Sequence, residues 1–272
     1  MTTDMEALFR SLVPVVGSAS QTDLQTGEMF RQIMASLVRF DHVVVFAYRG
    51  SEPPIDLYST FDTEGKIIYV TLYQAGPYLL DPFYTAALQR RPGLFRMREL
   101  APDRFFSSEY YRSYYMQTRL AEEVGFFVPM PDDITIVLSL MRREKTGAFP
   151  ASELAMLKKA EPLVAAIVQH FWAGLKRRFE AGRSKGGRRG KNGKALSAKG
   201  ANPAESLWRD LKLTSRETAI INLVLQGHSS ESIGLKLNIS TGTVKVHRRN
   251  VYRKLGISSQ TQLLSIYLKT LG

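Results

Sequence analysis

Residues 241–255, TGTVKVHRRNVYRKL, carry the side chains best suited to chemistry, and that chemistry is the binding of a polyanion. Read as a helix, the stretch has an apolar side with Val244, Val251 and Leu255 and a basic side with Lys245, Val246, Arg249 and Arg253. A solvated charged face normally mixes signs, yet the stretch contains no Asp or Glu. A basic helix of this width fits the major groove of B-DNA, where Lys and Arg reach phosphates and guanine edges.

The elements around this stretch follow a helix-turn-helix plan. Residues 214–217 are spaced as a capping box, which opens a helix that ends at Gly227. Ser229 and Ser240 then act as N-caps of two further helices, the second of them the basic one. A fourth helix begins within residues 258–262. In such a plan the second helix of the pair enters the groove and reads the bases.

Regularly spaced residues between Leu213 and Leu268 resemble a known family. They are the runs LTSRE (213–217) and SSQTQ (258–262), with Gly227, Ile233, Leu237, Ser240, Thr243, Val244, His247, Tyr252, Lys254 and Leu255. This set is similar to the four-helix DNA-binding domain of LuxR-type bacterial regulators. Gly234 departs from the family, which usually has Ala there, and we expect the glycine to cost up to ~1 kcal/mol of helix stability.

The outward side of the basic helix supplies the predicted DNA contacts. We expect Lys245, Val246 and Arg249 to face base edges, where the readers of the family also lie, and Thr243, Arg253 and Lys254 to hold phosphates. The resemblance implies a homodimer on a pseudo-palindromic double-stranded site, with half-sites about one helical turn apart. The exposed side of residues 263–268 is a candidate dimer surface along with the sensory domain, and RNA polymerase is a further candidate partner.

Charge is distributed unevenly along the 272 residues, whose formal net charge is +12. Residues 1–175 hold 17 Lys and Arg against 20 Asp and Glu, residues 176–204 hold 10 against 1, and residues 205–272 hold 10 against 4. The basic excess therefore belongs to the C-terminal third, where a polyanion should bind. Residues 180–204 are rich in Gly, Lys and Arg without apolar periodicity, which indicates a flexible linker that either spaces the domains or attracts DNA non-specifically.

The N-terminal part alternates helix and hairpin patterns. Strands are predicted at 43–48, 55–60, 124–130 and 134–142, and helices at 26–40, 67–74, 79–91, 107–119 and 151–179, the last with a kink at Pro162. A Pro-, Arg- and Phe-rich loop separates the helices near residue 100. We therefore predict an α+β chain: an α-β-α sensory domain with an antiparallel sheet, of GAF or PAS type, at 1–179, and an all-α helix-turn-helix domain at 205–272.

A weaker motif lies in the sensory domain. Tyr69, Tyr73, Tyr78 and Asp81 resemble the aromatic-and-Asp motif that lines the acyl-homoserine lactone pocket of quorum-sensing LuxR proteins. Tyr69 stands where that family has Trp, and the spacing from Tyr73 to Asp81 is one residue short. A phenol O–H points differently from an indole N–H. The motif thus favours a small-molecule pocket and disfavours a lactone as its occupant.

Two alternatives stay open for the sensory domain. In the first, ligand occupancy shifts the population of dimers whose reading helices are correctly spaced. In the second, the domain serves only protein interaction or dimerisation, the tyrosines are ordinary core, and Asp81 only caps a helix. The same choice applies to Tyr110, Tyr111, Tyr114 and Tyr115, which either line a pocket or cover the sheet.

Other classes of protein are poorly supported by the sequence. The four histidines are scattered and there is no metal-ligand spacing, phosphate loop or nucleophile elbow, so we expect no enzyme activity, metal or cofactor. Strand 43–48 lacks the acidic pair that a phosphorylated receiver domain needs. The absence of cysteine, of an 18-residue apolar run and of a signal-peptide pattern at the N-terminus predicts a soluble cytoplasmic protein without a membrane span.

Overall fold

The computed structural model describes residues 10, 12–13, 22–112, 116, 119–186 and 203–271. The predicted α+β organisation is confirmed. Residues 22–186 contain a five-stranded sheet and its covering helices, and residues 203–271 are helical. Within the described ranges, no helix combines the length and apolar character needed to cross a membrane. Residues 187–202, most of the predicted linker, lie outside the described ranges.

The sheet is antiparallel throughout, in the order β2-β1-β5-β4-β3. Its strands are β1 His42–Arg49, β2 Ile55–Ser59, β3 Gly93–Arg96, β4 Leu120–Pro129 and β5 Ile134–Arg143. The two predicted hairpins, β1–β2 and β4–β5, are both present. The short edge strand β3 lies in a region that was predicted as a loop. Pro92 and Gly93 are typical of loops, and a strand of only four residues gives too weak a pattern to counter that signal.

Helices and tyrosine-rich segments cover opposite faces of the sheet. Helices α1 (Asp23–Leu37) and α5 (Ala151–Phe171) pack on the face that carries Val43 and Val45. The opposite face, which carries Val44 and Phe46, is covered by the segments from residue 63 to residue 112. Successive strand residues point to opposite faces, so both sides of the central strands are buried. This confirms the predicted α-β-α layers.

The segments on the tyrosine side differ from the predicted helices in their bounds, and the predicted helix 67–74 lies within a continuous helical run over residues 63–74. They comprise α2 (Thr63–Lys66), a π-helix at Ile67–Leu72, 3-10 helices at Pro77–Leu80 and Phe105–Ser107, α3 (Pro82–Leu88) and α4 (Met97–Leu100). The predicted helix 79–91 begins instead at Pro82, because the Asp81 side chain accepts the Phe83 backbone N–H and sets the N-cap there. Residues 113–115, 117 and 118 of the predicted helix 107–119 lie outside the described ranges.

The long helix predicted for 151–179 is interrupted, but not at Pro162. Helix α5 continues through Pro162 and ends at Phe171, after which α6 runs Lys176–Gly186. The break places Trp172 in the core, where its ring stacks on Phe30 with centroids 5.6 Å apart and its indole N–H donates to Asp23 at 3.0 Å. Packing of Trp172 against α1 therefore sets the end of the helix.

The C-terminal region contains five helices in the part that the structure describes. They are α7 Pro203–Asp210, α8 Ser215–Gln226, α9 Ser230–Leu237, α10 Thr241–Leu255 and α11 Gln260–Leu271. The last four match the sequence prediction. Helix α7 was not predicted. It contributes Trp208, which is fully buried, stacks on Tyr267 and donates its indole N–H to Asn222.

Candidate nucleic-acid interface

Local capping fixes where the C-terminal helices begin and end. Thr214 and Glu217 form the reciprocal capping box of α8, and Gly227 ends that helix with φ +94°. Ser229 and Ser240 accept N–H groups at the starts of α9 and α10. These caps satisfy orphan backbone donors and leave only a short turn between α9 and α10. The two helices are thereby held as a helix-turn-helix pair.

A small apolar core orients α10 within that pair. Val244 and Val251 on its inner side are fully buried, together with Ile220, Ile221, Ile233 and Leu263 of the neighbouring helices. Side chains four or seven positions apart lie on one face of a helix. Burial of Val244 and Val251 therefore turns the opposite, cationic face of α10 outward.

The predicted DNA-contacting residues lie on that outward face. Lys245, Arg249 and Arg253 are exposed, as is Thr243, and half of the Val246 side chain is accessible. An exposed valine between two cations is suited to contact with a thymine methyl group. The structure thus brings the predicted base readers and phosphate contacts onto one continuous surface.

Lys254 also forms an ion pair within the domain, which the spacing of residues in the sequence does not predict. Its ammonium donates to the buried Glu217 carboxylate at 2.7 Å, which ties the end of α10 to the capping box of α8. Burial raises the pKa of Glu217, but the hydrogen bonds from Lys254 and Thr214 outweigh burial and hold this pKa below its ordinary value. Lys254 therefore joins two helices of the domain as well as facing solvent.

The N-terminus of α9 also belongs to this surface. The Arg248 guanidinium donates to the Ser230 hydroxyl at 3.2 Å, so α10 and the start of α9 meet there. Lys245, Arg248, Ser229 and Ser230 border a single cavity. Sequence reasoning did not assign Ser229 or Ser230 to DNA, although their position as the first residues of the helix preceding the reader indicates such a role.

A second site lies under the tyrosine-rich face of the sheet. The Tyr73 hydroxyl donates to Asp81 at 2.8 Å and lies 2.9 Å from the Tyr48 hydroxyl. These groups border a small space of about 40 Å³, here called the tyrosine cavity. Its walls are Val44, Phe46, Tyr48, Tyr69, Tyr73, Asp81, Phe83, Leu120, Glu123, Ser139 and Met141.

Three of the four residues predicted to bind a ligand meet at the tyrosine cavity. Tyr69, Tyr73 and Asp81 line it, and the Tyr69 ring stacks on Phe61 with centroids 4.1 Å apart. Tyr78 is not among the lining residues, because its ring packs edge-on against Tyr84 and its hydroxyl donates to the Ser51 carbonyl.

Sequence reasoning missed the polar strand residues of the cavity. Tyr48, Glu123 and Ser139 come from β1, β4 and β5 and are buried among apolar neighbours. A buried polar residue inside an otherwise apolar strand is the signal that identifies them. Of the other tyrosines, Tyr110 is buried beside Phe105, Tyr111 lines an adjoining groove, and Tyr114 and Tyr115 lie outside the described ranges.

Burial governs the electrostatics of the tyrosine cavity. It raises the pKa of Asp81 to about 6, against the hydrogen bonds from Phe83 and Tyr73 that stabilise the carboxylate. Burial and the neighbouring Asp81 charge raise the pKa of Tyr73. Tyr73 therefore keeps its proton near neutral pH and acts as a donor, while Asp81 titrates in a mildly acidic range.

An open groove of about 400 Å³ adjoins the tyrosine cavity. Leu120 and Glu123 line both spaces, and Met97, Phe106 and Tyr111 lie along the groove. A pocket for a typical small-molecule ligand has about 300–1,000 Å³. The tyrosine cavity alone is far smaller than that, whereas the groove falls within the range. Among the described residues, no group of three or more His, Asp or Glu side chains could hold a metal ion.

Comparisons with known proteins find similar sequences and structures. The family model of bacterial regulatory proteins, luxR family, matches residues 211–267. The HTH-type transcriptional regulator in the exeN 3'region of Aeromonas salmonicida is 31% identical over 192 residues, which are 70% of this chain and 94% of that protein. The HTH-type transcriptional regulator YhjB of Escherichia coli is 46% identical over 55 residues, 20% of this chain and 28% of YhjB. The solved VqsR LBD domain from Pseudomonas aeruginosa is 24% identical with a TM-score of 0.47, covering 61% of this chain and 90% of that one.

Proposed function

The chain belongs to the LuxR family of bacterial regulatory proteins and is a DNA-binding transcriptional regulator. We propose that it acts in the cytoplasm as a homodimer whose DNA binding is controlled by a small molecule. The observation that carries the DNA assignment is the helix-turn-helix pair α9–α10, in which the outward face of the reading helix α10 carries cations and no carboxylate. Two-fold symmetry of a dimer implies a pseudo-palindromic site. Contact with RNA polymerase stays a prediction.

We assign separate roles to the residues of the reading helix. Lys245, Val246 and Arg249, near the start and middle of α10, face base edges. Thr243 and Arg253 hold phosphates at the groove walls. Lys254 has the same role through the ammonium protons that Glu217 does not occupy, since a lysine ammonium has three donors.

Replacement of Arg249 by Ala tests the orientation of the helix. We expect R249A to weaken binding to the protein's own site by ~1–3 kcal/mol and to relax specificity at one base position. Arg209→Ala is a matched control, because Arg209 is also exposed, on α7, and its loss changes the net charge by the same amount. Genomic fragments enriched by the wild-type protein would supply the DNA for titration. Equal affinity of R249A and R209A would show that the assigned outward face is wrong.

For the small molecule, we propose that the tyrosine cavity receives a polar head group and the adjoining groove receives the rest of the ligand. Tyr73 can donate a hydrogen bond to the head group, Asp81 can accept one, and Tyr69 contributes an apolar ring. The support for this arrangement is that Leu120 and Glu123 line both spaces, so a ligand that displaces them would occupy a continuous site. Tyr78 would act indirectly, through its packing on Tyr84.

One observation favours the second candidate, in which the N-terminal domain only mediates protein interaction or dimerisation and DNA binding needs no effector. The tyrosine cavity, at about 40 Å³, has room for a water molecule but not for a ligand of ordinary size. In this version, the Tyr48–Tyr73–Asp81 hydrogen bonds specify the core of the domain and nothing else.

Native mass spectrometry of the full chain purified from its own host separates the two candidates. The ligand hypothesis predicts a discrete extra mass on the wild-type protein and its loss in Leu120→Trp, which would fill the shared wall of the two spaces. Glu144→Ala, an exposed change in the turn after β5, is the control and should keep the mass. Clean protein in every sample, with undiminished DNA binding, would favour the interaction module instead.

A further inference from the structure

The loop Asp103–Ser108 of the sensory domain lies directly against the turn between α8 and α9. The Asp103 carboxylate accepts the Ser229 backbone N–H at 3.0 Å. The Arg104 backbone N–H donates to the Gly227 carbonyl at 2.9 Å. Phe105 is fully buried and belongs to the same apolar cluster as Val224 and Leu225 of α8. We call this set of contacts the docking contact.

Gly227 permits the close approach of the two backbones. A Cβ atom at this position would lie 2.7 Å from the Phe105 Cα and 3.0 Å from its nitrogen. Real Cβ atoms essentially never approach a backbone atom this closely, so no other residue fits without a shift of the loop. The helix-ending glycine of α8 therefore has a second use, as the surface on which the sensory domain rests.

Asp103 occupies an anion-binding position. The first N–H groups of a helix lack intrahelical partners and carry partial positive charge, which favours a bound anion. At the start of α9 the anion is the Asp103 carboxylate. Burial opposes its charge, but the hydrogen bonds from Ser229 and the nearby His228 outweigh burial and lower the pKa of Asp103. In a helix-turn-helix complex the first helix of the pair crosses the DNA backbone, so a phosphate would lie at this N-terminus.

The docked loop also faces the reading helix. Arg104, Ser107 and Ser108 form one wall of a cavity of about 430 Å³ whose other wall includes Lys245 and Arg248 of α10. The major groove into which α10 must insert is ≈ 12 Å wide and is bordered by two phosphate backbones. With the loop docked, a DNA backbone that approaches the start of α10 would meet Arg104, Ser107 and Ser108 on the opposite wall of this space.

We propose that the docking contact is an interaction surface for the chain's own DNA-binding domain, in which Asp103 takes the position of a DNA phosphate and excludes DNA until the loop is released. The inference rests on the proposed DNA-binding role of α9 and α10. It adds that the partner of the 103–108 surface is the DNA-contacting side of the same chain and that the docked state and the DNA-bound state exclude each other.

Removal of the Asp103 carboxylate tests the proposal in the full chain. Asp103→Ala and the control Glu144→Ala both remove one exposed negative charge, so any general electrostatic gain in DNA affinity is the same for both. The probe is a random-sequence duplex at low salt. Loss of a charge-assisted hydrogen bond destabilises the docked state, so we expect D103A to bind the duplex roughly tenfold more tightly than E144A. Equal affinity of D103A and E144A would overturn the proposal.

Hydrogen exchange of the free protein gives a readout that does not involve DNA. In D103A we expect faster exchange of the Arg104 and Ser229 amides, with unchanged exchange of the amides around Val251 inside α10. Unchanged exchange at Arg104 and Ser229 would overturn the docking contact. Failure of all variants, wild type included, to bind DNA would instead contradict the proposed function, and the exchange rates would still decide whether the loop docks.

Discussion

Asp81 belongs to two structures at once, the N-cap of α3 and the wall of the tyrosine cavity. One of its oxygens accepts the Phe83 N–H at 2.7 Å and the other accepts the Tyr73 hydroxyl at 2.8 Å. Full burial nevertheless raises the pKa of this carboxyl to about 6, so its two hydrogen bonds do not compensate for desolvation of the charge. A cap alone would be served by a neutral Asn.

Asp81→Asn should remove a component of the pH dependence of stability. An unfolded Asp has a pKa of about 4, so between pH 4 and 6 the folded protein binds more protons than the unfolded chain. The free energy of unfolding of wild type therefore falls as pH rises through this window. D81N should lack this fall and be more stable at pH 7 by about 3 kcal/mol. Chemical denaturation across the pH range would measure it.

The control for this prediction is Asp62→Asn, which makes the same change at an exposed position. D62N should retain the wild-type pH dependence between pH 4 and 6. If D81N and wild type have parallel stability curves in that window, the Asp81 carboxyl does not titrate there and the electrostatic account of the cavity fails.

At the residue scale, sequence reasoning located side chains whose neighbours are close in the chain. Tyr69, Tyr73 and Asp81 share a local motif and do meet at the cavity. Glu123 and Ser139 could not be placed beside them, because their proximity depends on the pairing of β4 with β5 and on which face each strand turns inward. The Lys254–Glu217 pair spans 37 residues and was hidden for the same reason.

At the element scale, the backbone of the turn between α9 and α10 packs closely against α9 at Gly234, and the helical pattern of the sequence does not predict this contact. A Cβ atom at Gly234 would lie 2.7 Å from the Ile239 carbonyl oxygen, while the Ile239 N–H donates to the Gly234 carbonyl at 3.0 Å. The sequence expectation that Gly234 simply weakens the helix is therefore incomplete, since the missing side chain makes room for the turn. This close approach helps to set the position of the reading helix.

Gly234→Ala should destabilise the protein despite the higher helix propensity of Ala, by about 1 kcal/mol or more, because backbone atoms of the turn must move. Gly242→Ala is the matched control in α10. Its Cβ would meet only the Ser240 hydroxyl oxygen, at 3.6 Å, so it should stabilise by up to about 1 kcal/mol. Thermal unfolding of both variants would test the contrast, and a stabilising G234A would contradict the close approach.

Local signals account for which elements could be predicted. The boundaries of α8, α9 and α10 followed from capping residues within one turn of each end. The edge strand β3 and the break at Trp172 have no such local cause, because one depends on pairing with β4 and the other on packing against Phe30. Helix α5 continues through Pro162, and the kink that Pro162 predicts there stays a prediction.

At the scale of the whole molecule, the dimer surface stays a prediction. Leu263, Leu264 and Tyr267, which the sequence presents as one side of α11, are all buried within this single chain. The arrangement of the two domains could not have been derived from local patterns, since the docking contact joins residues more than 120 positions apart. The side of α11 that remains accessible carries Ser265, which is exposed, and Ile266 and Leu268, which are half-buried. This side and the sensory domain both stay candidates for the dimer surface.

The cationic linker should contribute to DNA affinity without contributing to sequence preference. Replacement of Lys191, Lys194 and Lys199 by Gln should lower the slope of log affinity against log salt by up to ~0.9 for each phosphate that the linker no longer neutralises. Gln at Lys145, Lys158 and Lys159, all exposed in the sensory domain, removes equal charge and should leave the slope unchanged. Binding titrations at several salt concentrations would measure both. Equal salt slopes for the linker variant and the sensory-domain variant would show that the linker only spaces the domains and does not bind DNA.

Hydroxyl-radical footprinting of the full chain on the genomic fragments that it enriches tests the central claim most directly. If α10 reads DNA as one half of a two-fold dimer, two protected stretches should appear, with centres about 10–10.5 bp apart and related base sequences. R249A should lose this protection at concentrations where R209A retains it. Fragments with no discrete protected site, or the same pattern for R249A and wild type, would contradict sequence-specific recognition by the reading helix.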